Sequence, residues 1–118
     1  MNNFNFSELA AAALDALRAS GLAPHDAGKD APVFDGQLHR YRVEGDKAGS
    51  KNGWRVFYGD GVPSGAFGSW KTGQSETWCA KGDHELSIAE KLQRDQHLAA
   101  AKTARQALEI QVRAHAQQ

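Results

Sequence analysis

Residues 53–81 read GWRVFYGDGVPSGAFGSWKTGQSETWCAK, and this stretch decides the fold. It holds all three tryptophans, Trp54, Trp70 and Trp78, together with Phe57, Tyr58 and Phe67. Glycines punctuate it at positions 53, 59, 61, 65, 68 and 73. Aromatic and β-branched runs separated by glycine-containing turns are the signature of a β-meander. Strands are predicted over 54–58 (WRVFY), 64–70 (SGAFGSW) and 75–80 (SETWCA). Gly59-Asp60-Gly61 begins one turn and residues 71–74 form the other; Val62-Pro63 cannot continue a central ladder. Connections this short make neighbouring strands antiparallel, because parallel pairing needs a long crossover.

Working outward toward the N-terminus, residues 45–53 (GDKAGSKNG) are a glycine-rich loop, preceded by residues 37–44 (QLHRYRVE), which alternate as a fourth strand. Its His39, Tyr41 and Val43 face inward, while Arg40 and Arg42 point to solvent on an open face that Arg55 is expected to share. Residues 23–36 lack periodicity and read as a loop, with Val33-Phe34 a short edge strand. Residues 5–20 carry Phe6, Leu9, Ala10, Ala13, Leu14 and Leu17 at helical spacing, with Asn5 and Glu8 as a capping box and Gly21 at the C-terminal end.

On the other side, 81–86 are a polar junction, and Ser87 with Glu90 opens a long helix that runs without glycine or proline to about Ala116. Nearly 30 residues would span ~40 Å, longer than a small sheet is wide. Ile88, Leu92 and Leu98 are the side chains expected to cover the sheet. Beyond Leu98 the apolar content is mostly alanine, with Leu108, Ile110 and Val112 the large exceptions. The fold class is therefore α+β: an antiparallel meander of about four strands packed by an N-terminal helix and a long C-terminal helix. Residues 1–98 form one domain, and 99–118 project from it or lead to a following domain.

The 118 residues fit a single domain. Hydrophobic residues make up 41% and mean hydropathy is -0.59; no run approaches the ~20 apolar residues of a membrane span. The first residues lack the pattern of a signal peptide, and the lone Cys79 has no cysteine to pair with. These features point to the cytoplasm and to no membrane partner. Formal charge is zero overall but uneven. Residues 1–36 carry two Lys or Arg against five Asp or Glu, and residues 37–58 carry five against two. A pI near 7.0 argues against a dedicated strong DNA binder, while the basic segment suits a polyanion partner.

No catalytic constellation is visible. No Ser/His/Asp set lies in a nucleophile-elbow context, and histidines 25, 39, 84, 97 and 115 lack zinc-ligand spacing. The loop 45–53 matches neither a Walker A motif nor a dinucleotide fingerprint. Cys79 reads as an inert strand thiol and Glu76 as an exposed strand carboxylate. We thus expect no metal and no cofactor. Aromatics interleaved with cations on a sheet are the chemistry of single-strand binding, in which bases stack on rings and cations meet phosphates. The candidate nucleic-acid-binding residues are Arg40, Arg42, Lys47, Lys51, Trp54, Arg55, Trp70, Lys71 and Trp78. The competing reading is that the tryptophans fill the interface between sheet and helices.

Residues 35–54 (DGQLHRYRVEGDKAGSKNGW) and 60–81 (DGVPSGAFGSWKTGQSETWCAK) together resemble the N-terminal domain of phage- and plasmid-borne DNA primase/helicase proteins. These are large multidomain proteins, often with a toprim-type primase or a helicase domain farther along. The resemblance runs over about residues 5–115. It implies a non-catalytic accessory module acting in replication, with nucleic acid as partner and single-stranded DNA favoured. Neither a toprim acidic cluster nor a Walker A is present, so primase or helicase activity would lie outside this chain. The alternative is a protein-interaction or oligomerisation module that docks replication proteins, or another copy, through the long helix. An independent small enzyme is the third and weakest reading.

Overall fold

The computed structural model describes residues 5–116. Residues 1–4 and 117–118, and the side chains from Val112 onward, lie outside the described residues. The elements run α1 (Phe6–Ala19), β1 (His39–Tyr41), β2 (Gly53–Tyr58), β3 (Ser64–Ser69), β4 (Ser75–Cys79), one 3-10 turn (Asp83–Glu85) and α2 (Ile88–Ala116). The four strands are antiparallel in the order β1-β2-β3-β4. This is the α+β meander with an N-terminal helix and a long C-terminal helix that the sequence predicts.

The two helices take opposite faces of the sheet. Strand alternation sends Phe57 to one side of β2 and Trp54 and Val56 to the other. Ala13, Leu17 and Leu22 join Tyr41, Val43, Phe57 and Phe67 in one core cluster beneath α1. Trp54, Val56 and Ala66 join Ala101 of α2 in the second.

Local chemistry fixes the ends of the helices. The Asn5 side chain accepts from the Ser7 and Glu8 N–H groups. At the other end of α1, Gly21 takes φ +73 and the Leu22 N–H returns to the Leu17 carbonyl at 2.8 Å. At the start of α2 the capping box closes in both directions: Ser87 N–H donates to Glu90 Oε1 at 2.9 Å, and Glu90 N–H donates to Ser87 Oγ at 3.1 Å.

Three expectations need correction. The strand over 37–44 is only His39–Tyr41, because the chain beyond it pairs elsewhere. His25 N–H donates to the Arg42 carbonyl and Glu44 N–H to the Ala23 carbonyl, both at 2.8 Å, so the segment 23–25 covers this edge of the sheet. Val33-Phe34 is not a strand; an isolated bridge joins Asp35 to Tyr58, and the Phe34 ring packs against Phe6, Phe57 and Trp78. Finally, Ile88 and Leu92 do not cover the sheet, being 90% and 61% exposed. The sheet-facing side of α2 is instead His97 and Ala101, 6% and 0% exposed. The small alanine lets the helix settle on Trp54 and Val56, and the helix stays on the sheet past Leu98, with the Arg105 guanidinium 5.8 Å from the Trp54 ring.

Candidate nucleic-acid interface

The basic residues of β1 and the following loop converge at one edge of the sheet. Arg40, Arg42 and Lys51 line a cleft of about 310 Å³ between the loop 45–53 and residues 25–30. His25 and Lys29 line it too, along with Asp26 and Asp30. Lys29, Arg40, Arg42 and Lys51 outnumber these two carboxylates. Asp26 Oδ1 accepts from the Gly28 and Lys29 N–H groups at 3.1 Å, and Asp30 faces the buried Arg55 electrostatically. The lining is left with an excess of cations.

The loop 45–53 is held rather than loose. Arg42 Nε donates to the Asp46 carbonyl at 3.1 Å, and Asn52 Nδ2 donates to Asp46 Oδ2 at 3.4 Å. Lys71 Nζ reaches Asp46 Oδ1 at 3.3 Å. Ser50 Oγ donates to the Lys47 carbonyl at 2.6 Å. This scaffold leaves the Lys47 and Lys51 side chains exposed.

Beside the cleft, Arg40 Nε donates to the Lys51 carbonyl at 3.1 Å, and its guanidinium carbon lies 5.3 Å from the Trp70 ring centroid. Trp70 is half-buried and follows the end of β3. Arg40 is exposed. Cation and ring therefore share one accessible surface.

Three of the sequence candidates lie elsewhere. Trp54 is 2% exposed, beneath α2. Trp78 is half-buried on the α1 face, 5.7 Å from both the Phe34 and Phe57 rings. Arg55, expected on an open face with Arg40 and Arg42, is 3% exposed. Alternation along β2 puts it on the α1 side with Phe57, under the loop 23–36, where Nη2 donates to the Ala31 carbonyl at 3.0 Å. Its guanidinium lies 5.3 Å from the Tyr41 ring. Burial lowers its pKa, against the opposing pull of Asp30. Burial also pushes the Tyr41 hydroxyl up to about 12, and that hydroxyl donates to the Leu22 carbonyl at 2.7 Å.

Sequence reasoning missed Lys29 in the cleft, and Lys102 and Arg105 on α2. Nothing in a non-periodic loop or an alanine-rich helix marks those cations. It also missed a Ser–His–Asp chain. His97 Nδ1 lies 2.7 Å from Ser64 Oγ, His97 Nε2 lies 3.2 Å from Asp60 Oδ1, and the ring stacks on Tyr58 at 4.8 Å. Ser64 is fully buried, so its hydroxyl cannot meet a substrate; the chain docks α2 onto the β2–β3 turn. The His97 contact holds the Asp60 carboxyl below the usual range. Among the described residues no group of three or more His, Cys, Asp or Glu could hold a metal ion, and no helix is long and apolar enough to cross a membrane.

The fold and this surface define a small α+β module with a basic and aromatic edge. Over 91 residues, 77% of the chain, it is 42% identical to a DNA primase TraC of Escherichia coli. A second DNA primase TraC of Escherichia coli is 42% identical over 96 residues, 80% of the chain. The chain spans only 8% and 6% of the length of these relatives. No known family pattern and no solved structure matches it.

Proposed function

We propose that this chain is a non-catalytic accessory module of a plasmid-type primase that binds single-stranded DNA during replication in the cytoplasm. The similarity to a short segment of DNA primase TraC supports the replication context, and a segment of 6–8% of such a protein leaves ample room for catalysis elsewhere. The observation that carries the reading is the Arg40–Trp70 pair at the mouth of the cationic cleft. An exposed guanidinium laid over a half-buried ring forms a composite platform, on which a base can stack and a phosphate can meet a charge. Arg42, Lys29 and Lys51 extend the phosphate track into the cleft, and Lys47 flanks it.

Tryptophan fluorescence during titration with single-stranded oligonucleotides tests this. Wild type should quench with an affinity that falls as salt rises, and Trp70→Ala and Arg40→Ala should each weaken binding. Stacking on a ring contributes ~1–3 kcal/mol per base, so Trp70→Ala should cost about 5- to 150-fold in affinity. An unquenched wild type would defeat the reading.

A second reading has its own observation. Ile88 and Leu92 lie one turn apart on α2, and Ile110 farther along, all three exposed. An exposed apolar pair in the first turns of a long helix suits pairing with a second copy of the chain. Light scattering that gives twice the monomer mass, reduced to the monomer by Leu92→Glu, would favour it.

A further inference from the structure

Across the α2 face of the sheet, cations and rings form a row. Arg40 lies 5.3 Å from Trp70, Trp70 lies 6.2 Å from Trp54, and Arg105 lies 5.8 Å from Trp54. One end of the row is the cleft mouth. The other opens into a groove of about 400 Å³ between α2 and β4. Trp54 and Ala66 form its floor, Ser75 and Thr77 line one side, and Lys102 and Arg105, with Leu98 and Ala99, the other.

The groove exists because α2 sits on β3 and β2 and leaves β4 uncovered. Alternation along β4 turns Ser75 and Thr77 toward the groove and sends Glu76 to the opposite face with Trp78. The strand side therefore presents hydroxyls, not a carboxylate. On the helix, Asp95 precedes the groove and is held by Arg94 at 3.0 Å. A mostly apolar groove, with two cations on the helix wall and two hydroxyls on the strand wall, matches a single strand whose bases meet apolar surface while its phosphates meet charge and its oxygens meet donors.

We infer that this groove carries the continuation of a single-stranded nucleic acid whose neighbouring segment lies over Arg40 and Trp70, with Lys102 and Arg105 as phosphate contacts. The inference rests on the reading proposed above and extends it to a second surface, built by α2. Because Arg105 packs on Trp54, the decisive variants are at Lys102, whose exposed side chain can change without touching the core.

The test titrates wild type, Arg40→Ala, Lys102→Ala and Lys102→Glu with DNA and RNA strands of about 10 nucleotides, within the length a single-strand site covers, at several salt concentrations. Loss of one phosphate contact should lower the log–log salt slope by ~0.7. Lys102→Ala should show that drop, and Lys102→Glu should weaken binding further, for whichever polymer binds. If wild type binds and Arg40→Ala weakens it while both Lys102 variants keep the wild-type affinity and slope, the groove is not part of the path and the Arg40–Trp70 reading stands. If wild type binds neither polymer, both fall together.

Discussion

Gly65 and Gly68 stand in the middle of β3 because an aromatic ring of β2 lies across each of them. The register pairs Gly65 with Phe57 and Gly68 with Trp54. A Cβ at Gly65 would run into the Val56 carbonyl and the Phe57 ring, and one at Gly68 into the Gln74 carbonyl and the Trp54 ring. Gly53 is paired with Tyr41 in the same way, across β1 and β2. Glycine weakens a strand through its own entropy, and a ring covering it restores the packing. Gly65→Ala and Gly68→Ala should each destabilise by about 1–3 kcal/mol, the usual cost of overpacking, read as a lower denaturant midpoint. Unchanged midpoints would mean that both the ring and the nearby backbone carbonyl give way at no cost.

Helix α2 is held by polar devices at its start and in its middle, and by packing where Ala101 meets the sheet. Ser87→Ala removes one half of the capping box and should cost about 1 kcal/mol. Acid should loosen the same helix. Asp60 is held below its ordinary pKa chiefly by its contact with His97, and Asp83 chiefly by its hydrogen bond with Arg94. A carboxylate with a lowered folded-state pKa stabilises the fold above its unfolded value, about 3.9, and loses that contribution as pH falls through the lower folded value. Protection of α2 amides from hydrogen exchange should therefore hold above about pH 5 and decline below about pH 4. Asp60→Asn with Asp83→Asn should flatten that acid limb; an identical limb in the double variant would assign it to other carboxylates.

At the scale of the molecule, extents of 49 × 27 × 20 Å reflect a compact sheet with a helix longer than the sheet is wide. Its basic residues do not act alike. Lys71 is paired with Asp46 and Arg55 is buried, whereas Lys47 and Lys51 are exposed on a loop braced by Asp46. On the proposed single-strand reading, Lys47→Ala with Lys51→Ala should weaken binding about equally for every base sequence and lower the salt slope by ~1.4, two phosphate contacts' worth. An unchanged slope in a folded double variant would remove the loop from the contact surface. Leu92→Ala should change monomer stability by less than about 0.5 kcal/mol, as exposed positions do, while Leu17→Ala in the core should cost about 2–5 kcal/mol.

Elements were legible wherever the signal is local. Asn5, Gly21, and Ser87 with Glu90 mark helix ends through hydrogen bonds made within a few residues. Glycine-containing turns at 59–61 and 71–74 force antiparallel neighbours, so the sequence alone determined the meander and both helices. Only tertiary structure decided which face each helix takes. That choice buried Trp54 beneath α2, drew Arg55 under the loop 23–36, and turned Ile88 and Leu92 outward. Alternation divides residues between two faces but does not say what will cover either one. The same limit hid Lys29, Lys102 and Arg105. Each is an ordinary surface cation in its own segment, and its place beside Arg40 or over Trp54 comes from contacts between segments far apart in the chain.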